Sequence, residues 1–263
     1  MKFQGFTNKI HLINNIIIKE SDSFHDFYLD KRNEFVFLEE LSHMNQDYLL
    51  KPLEFNLNNN KLISKYKYLS EFKTLSEIII DEKIINLVID NISEMHKINI
   101  NNSKIKSFKY FDFLINIKSQ LENDLNFLDD YIKEVKDIDG DFNGLDLVLS
   151  HNDLVPGNIL VKENKVIFID YDYVTLNNNL FDLASFITET LNENEELVEY
   201  FIEQCFKSDL MKKEDLKLLN KMIKYQDLLW TIWAKVMYEK KKESIFNDIF
   251  EDKLNRLKNR KTY

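Results

Sequence analysis

Cysteine is almost absent from this chain of 263 residues, where Cys205 stands alone. One thiol excludes a disulfide framework and a cysteine-based zinc site, and it suits a reducing compartment. Long apolar runs are missing as well. Triplets such as Ile16-Ile17-Ile18 and Ile78-Ile79-Ile80 fall far short of the roughly 18 residues that a membrane span needs. The opening MKFQGFTNKI carries no continuous apolar stretch of the secretory kind, so a soluble, cytoplasmic protein is expected. Positive charge is not in excess either. The 45 acidic residues outnumber 35 basic ones, giving a formal charge of −10, whereas a nucleic-acid binder normally shows a basic stripe. Neither nucleic acid nor membrane is expected as a partner.

Only four glycines and two prolines punctuate the chain, so each is expected to mark a position that needs it. No internal repeat or low-complexity linker is visible. What is plentiful is core material: 44% of the residues are apolar or aromatic, including 20 Phe, 12 Tyr and 2 Trp. The length lies between one and two domains at about 100–200 residues each.

The first seventy residues read as strands with one helix. His11-Leu12-Ile13 and Ile16-Ile17-Ile18-Lys19 are short β-branched runs joined by Asn14-Asn15, a hairpin signal. Phe37, Leu38 and Leu41 give residues 33–41 helical spacing. Pro52–Phe55 and Lys61–Ser64 form a second hairpin pattern across Asn58-Asn59-Asn60. Beyond residue 70 the pattern turns helical. Ile84, Leu87, Val88, Ile92 and Met95 stripe one face over 82–97, another helix is expected over 106–136, and 180–258 is helical again. Short strands interrupt at 147–149, 159–161 and 166–169.

That β cluster carries the chemistry. It reads Ser150-His151-Asn152-Asp153-Leu154-Val155-Pro156-Gly157-Asn158, then Ile169-Asp170-Tyr171-Asp172. The spacing His-x-Asp-x4-Asn, with Asp at the end of the next strand, is that of a kinase catalytic loop and its metal position. In-line phosphoryl transfer needs a carboxylate to take the proton of the attacking hydroxyl, and Asp153 supplies one. It also needs oxygen ligands for Mg²⁺ on the nucleotide phosphates, for which Asn158, Asp170 and Asp172 are the candidates. A bland alternative is an acidic turn, since turns favour Asp and Asn. His151 reads as a buried structural histidine.

HNDLVPGNIL (151–160) followed by IDYDYVTLNNNLFDLASF (169–186) resembles the choline/ethanolamine kinase branch of the aminoglycoside-phosphotransferase-like kinases. The similarity is strongest over about 150–190 and runs collinearly from residue 5 to the tryptophans at 230–233. The resemblance implies an α+β, two-lobed protein-kinase-like fold: a small β-rich nucleotide-binding lobe over 1–66 and a larger, mainly helical lobe over 67–263. It implies Asp153 as catalytic base, Asn158 and Asp170 as Mg²⁺ ligands, and Asp172 as a further metal or substrate contact. The family usually has Glu at that last position, one methylene longer. Asp182 matches an aspartate that braces the catalytic loop.

By the same resemblance Lys19, closing its apolar strand, pairs with nucleotide phosphates and is held by Glu34. Gly5-Phe6-Thr7-Asn8 takes the place of the phosphate-covering loop, with Thr7 and Asn8 near phosphate, and residues 63–69 take that of an inter-lobe hinge. Trp230 and Trp233 sit three apart and share a helix face. In the choline kinases such a pair cages a quaternary ammonium, together with a glutamate that falls on Glu189 here; Tyr173 is an extra wall. Two ordinary core tryptophans are the plain alternative. The implied reaction is ATP-dependent phosphorylation of choline. Ethanolamine or an aminoglycoside is the rival acceptor, the latter using Glu193, Glu195, Glu196 and Glu199. A silent nucleotide- or choline-binding module and a metal-dependent hydrolase are the remaining rivals. Oligomeric state is not readable from the sequence.

Overall fold

A computed structural model describes residues 6–100, 104–191 and 194–263. Strands β1 (Asn8–Ile13) and β2 (Ile16–Ser21) form the first antiparallel hairpin. Asn14 and Asn15 have φ of 50° and 62°, left-handed at both central positions, which is the turn whose twist matches the flanking strands. Asn59 and Asn60, at 49° and 63°, repeat the device between β3 (Glu54–Asn58) and β4 (Lys61–Lys67). The sheet order is β1-β2-β4-β3. Between the hairpins runs α1 (Lys31–His43), started by Asp30, whose carboxylate accepts from Arg32 N. It buries Phe37, Leu38 and Leu41.

The stretch expected as a hinge is mostly strand. Ile63–Lys67 lies inside β4, paired with β2 along its length, and Tyr68 N donates to Asn15 O. A short β5 (Lys73–Thr74) follows, then α2 (Glu82–His96) with its apolar stripe buried except for the half-buried Leu87. The single helix expected over 106–136 is broken into α3 (Tyr110–Lys118) and α4 (Asp129–Val135), with a one-turn α5 (Ile138–Asp141) beyond. The break has a tertiary cause. Glu122 N, which a continuing helix would need, donates instead to the buried Glu239 carboxylate at 2.7 Å.

Next come β6 (Val148–Ser150), β7 (Ile159–Lys162), β8 (Lys165–Phe168) and β9 (Thr175–Asn177). β7 and β8 form a hairpin with β5 on its edge, while β6 pairs with β9. Helix α6 (Leu180–Ser185) runs into a π-helical turn over Phe186–Leu191. Helices α7 (Glu195–Lys207), α8 (Leu216–Lys241) and α9 (Ser244–Asn259) complete the helical part. Every residue of α8 from Tyr225 to Ala234 is buried, as in a helix enclosed by its neighbours. Among the described residues no helix is long and apolar enough to cross a membrane.

Candidate active site

The loop after β6 is held from below by one carboxylate. Asp182, in the first turn of α6 and 1% exposed, accepts from the backbone N of His151 (3.1 Å) and Asn152 (2.7 Å). His96 Nε2 of α2 lies 2.9 Å from it. Asn152, at φ 64°, donates Nδ2 to Tyr173 O and Thr175 Oγ1, and its Oδ1 accepts from Asn177 Nδ2. On the far side, Leu154 N donates to Ser185 Oγ and Leu154 O accepts from Thr190 Oγ1. The backbone on both flanks of Asp153 is thus tied to α6 and the π turn, and the Asn152 side chain ties the loop to β9.

Asp153 itself is half-buried. Asn158 Nδ2 donates to its Oδ2 at 2.8 Å and to its carbonyl at 3.0 Å. Burial first, then the charges of Asp170, Glu189 and Asp172, push its carboxyl well above the usual range. Such a carboxylate is a stronger proton acceptor than a solvated one. His151 is fully buried, joined through Nε2 to Ile169 O at 3.0 Å, and burial holds it neutral.

Gly157 does not need to be glycine. Its φ is not left-handed, and a Cβ there would meet nothing within 4 Å. The left-handed positions are instead Asn152 and Asp170, the latter at φ 66°, where short polar side chains tolerate that conformation.

A buried ion cluster faces the loop. Lys19 Nζ on β2 reaches Glu34 (2.8 Å), Asp170 (2.6 Å) and Asp172 (2.7 Å). Lys31 Nζ, in the first turn of α1, reaches Asp172 (2.6 Å) and Glu34 (3.2 Å). Thr7 Oγ1 and Asn8 Nδ2 donate to the second Asp172 oxygen at 2.5 and 2.6 Å. Burial opposes the charge on Lys19, but Asp170, Asp172 and Glu34 outweigh it and raise its pKa well above normal. Burial likewise opposes ionisation of Asp172, and Lys19 and Lys31 overcome it, holding that carboxyl well below the usual range. Gly5 lies outside the described residues.

The donors suit Mg²⁺. Asn158 turns its Nδ2 to Asp153, leaving Oδ1 for a cation. Asp170 gives Oδ1 to Lys19 and keeps Oδ2 on a side chain 25% exposed. Both stand at one end of the β7–β8 hairpin, where Ile169 N donates to Asn158 O at 3.0 Å. Among the described residues no three His, Cys, Asp or Glu converge as a closed metal cage. Mg²⁺ commonly takes one or two carboxylates and completes its shell with water and phosphate. Asp172 is differently placed: each of its oxygens accepts from two donors, which makes it a cross-link between the strand-rich and helical parts.

The aromatic residues form a second cluster. Trp230 and Trp233 of α8 meet edge to face at 6.0 Å, and Tyr173 meets Trp230 at 5.6 Å. Tyr28 lies 6.2 Å from Tyr173, while Phe6 and Phe246 of α9 lie 6.4 and 5.8 Å from Trp233. Lys241 Nζ reaches His25 Nε2 at 3.4 Å, and His25 Nδ1 reaches Tyr28 Oη at 2.7 Å. A lysine only donates, so Nε2 accepts and the Nδ1–H donates to Tyr28. Burial, then the Lys241 charge, lower His25 to about 4, which keeps the ring neutral. Glu189, on the π turn, is clasped by Lys253 Nζ of α9 at 2.6 Å from each carboxylate oxygen.

Sequence reasoning missed Lys31, Tyr28, Phe6, Phe246 and Lys253. Lys31 had a readable signal, since it precedes Glu34 by three residues on a helix opened by Asp30. The others are joined to the site by packing between distant segments and left no local trace. Of the acidic patch considered for an aminoglycoside, Glu195, Glu196 and Glu199 are exposed on α7, and Glu193 lies outside the described residues.

Comparison with known proteins bears on this arrangement. The sequence model described as choline/ethanolamine kinase matches residues 29–259. The chain belongs to that family. Protein LicA of Haemophilus influenzae is 30% identical over 185 residues, 66% of this chain and 54% of that one, so the match spans about half of that relative. The ethanolamine kinase of Saccharomyces cerevisiae is 34% identical over 138 residues, 48% of this chain and 23% of that one. The crystal structure of choline kinase LicA from Streptococcus pneumoniae superposes with a TM-score of 0.76 at 19% identity, covering 97% of this chain and 91% of that one. That likeness establishes the two-part kinase-like fold: a small strand-rich N-terminal part and a larger helical part. The family match includes the loop of Asp153 and Asn158, the π turn and both tryptophans, whereas Lys19, Thr7 and Asn8 precede it.

Proposed function

We propose that this protein is a choline kinase, transferring the γ-phosphoryl group of ATP to the choline hydroxyl to give phosphocholine and ADP. One observation carries the reading: through Asn158, 2.8 Å from its Oδ2, Asp153 is linked to the strand end that bears Asp170 of the lysine cluster, and the charges of both Asp170 and Glu189 act on it. A nucleotide site and a cation site would then meet at one carboxylate. Residues 1–66 form the nucleotide-binding lobe and 67–263 the lobe that holds the catalytic loop and the acceptor pocket. Lys19, oriented by Glu34, engages the nucleotide phosphates, with Thr7 and Asn8 lining the same side. Asp153 takes the proton of the acceptor hydroxyl as its oxygen attacks phosphorus. Asn158 and Asp170 are the residues that would hold Mg²⁺, which when bound supplies charge neutralisation for the phosphates; Asp172 secures Lys19 beside them. Trp230, Trp233 and Tyr173 offer aromatic faces to a trimethylammonium group, and each such contact contributes about 0.5–2 kcal/mol. The proposed setting is the cytoplasm.

Ethanolamine is the second reading, favoured by Glu189, since a primary ammonium donates hydrogen bonds that a carboxylate accepts. ADP release from Mg-ATP would be measured with choline, ethanolamine, an aminoglycoside and no acceptor in parallel. Choline-dependent release that vanishes in Asp153→Asn, with ATP binding retained, is the expected result. Release that persists in that variant would remove Asp153 from the chemistry, and release only with another acceptor would discard the aromatic cage.

A further inference from the structure

The proposed anionic wall of the acceptor pocket is not a free carboxylate. Glu189 is gripped by Lys253 Nζ at 2.6 Å from Oε1 and from Oε2. The lysine is 5% exposed, so its charge is not diluted by water as a surface lysine's would be. It comes from α9, 64 residues away in sequence, and the same helix supplies Phe246 against Trp233. Three residues on, Arg256 Nη1 donates to Thr188 O at 2.6 Å, so α9 grips the π turn at two successive positions.

From this we infer that Lys253 is a specificity-determining positioning residue: it holds Glu189 and tempers its charge, so that the pocket selects a quaternary over a primary ammonium. The inference rests on the proposed function. A trimethylammonium head has no N–H and is weakly hydrated, so ring faces replace its water well. A primary ammonium is a compact, strongly hydrated charge that needs acceptors in place of lost water. Next to Glu189 it meets a carboxylate already donated to on both oxygens, and a second ammonium that repels it. Choline loses less to that repulsion, because its aromatic partners are untouched by Lys253.

The experiment measures kcat and KM for choline and ethanolamine in the wild type, Lys253→Met and Lys253→Arg, with thermal melting and ATP binding as fold controls. In Lys253→Met the ethanolamine KM should fall relative to that of choline. The choline-to-ethanolamine ratio of kcat/KM should then shrink by about tenfold, the scale of one charge-assisted hydrogen bond. Lys253→Arg should restore most of the preference, since it returns a cation to Glu189. An unchanged ratio in a folded Lys253→Met protein overturns the inference and leaves the kinase reading standing, as does a proportional loss with both acceptors. If the wild type turns over neither amino alcohol, the proposed function fails and the inference falls with it.

Discussion

At the scale of single residues, the proposed acceptor pocket and the lysine cluster make opposite demands on a side chain. Trp230 and Trp233 are each 8% exposed and meet edge to face, with Tyr173 against Trp230. Trp230→Ala should therefore raise the choline KM by roughly 2- to 30-fold, the range of one cation–π contact, while kcat changes little because the cage acts mainly on ground-state binding. Steady-state kinetics check this, and an unchanged KM would move the pocket elsewhere. Lys31 is a different case, because its ammonium is wholly buried between Asp172 and Glu34. Lys31→Met leaves two buried carboxylates with one cation fewer, a change that costs about 3–5 kcal/mol when a buried pair is broken. The melting temperature should drop by roughly 10 °C. A drop of a degree or two would mean that Lys19 alone suffices.

At the scale of elements, the proposed catalytic loop could be marked out because phosphoryl transfer needs particular residue types at particular spacings, and those stand as a string: Asp153, Asn158, Asp170. The hairpins were readable for a similar reason, since paired asparagines state a turn locally. What sets the loop's shape is not local. Asp182 reaches back 30 residues to take two backbone N–H groups and lies against His96, and only the resemblance to a family pointed to it. The broken helix over 106–136 failed for the same physical reason, because Glu239 on α8 captures the N–H that would have continued it. Gly157 was overread: scarcity does not oblige a glycine to be needed. The brace itself can be tested. Asp182→Asn replaces one acceptor oxygen by an NH₂ facing a donor, which costs about 1–3 kcal/mol for a buried group left unpaired. The variant should melt earlier and lose kcat by at least about tenfold through misplacement of Asp153, with ATP affinity nearly unchanged. Full activity at reduced stability would separate the brace from the chemistry.

At the scale of the whole molecule, the strand-rich and helical parts share one apolar core, in which Phe37 meets Tyr171 at 4.8 Å, and are joined at the site by charge as well. Lys19 and Lys31 from one part meet Asp170 and Asp172 from the other, and Lys241 of α8 donates to Phe6 O at 3.0 Å. This arrangement fixes how stability follows pH. Because Asp172 is held below its usual range, its stabilisation is present above the unfolded carboxyl pKa and is lost only as pH falls through the lower, folded value. His25 acts earlier. Its folded pKa of about 4 lies below the unfolded value of 6.5, so between those values the unfolded chain binds the extra proton and acidification favours unfolding. Completed down to pH 4, that difference amounts to at most about 3 kcal/mol, and His151, also held neutral by burial, adds in the same direction. The His25 contribution to the melting temperature should thus decline between about pH 6.5 and 4, before Asp172 is neutralised, while the raised carboxyls of Asp153, Glu34 and Asp227 pull the other way. His25→Gln keeps a polar side chain beside Tyr28 but has nothing to titrate. Its melting temperature should start lower at pH 7 and fall less steeply toward pH 4 than that of the wild type. Parallel slopes for the two proteins would show that His25 is not the group through which mild acid loosens the contact between Lys241 and the aromatic cluster.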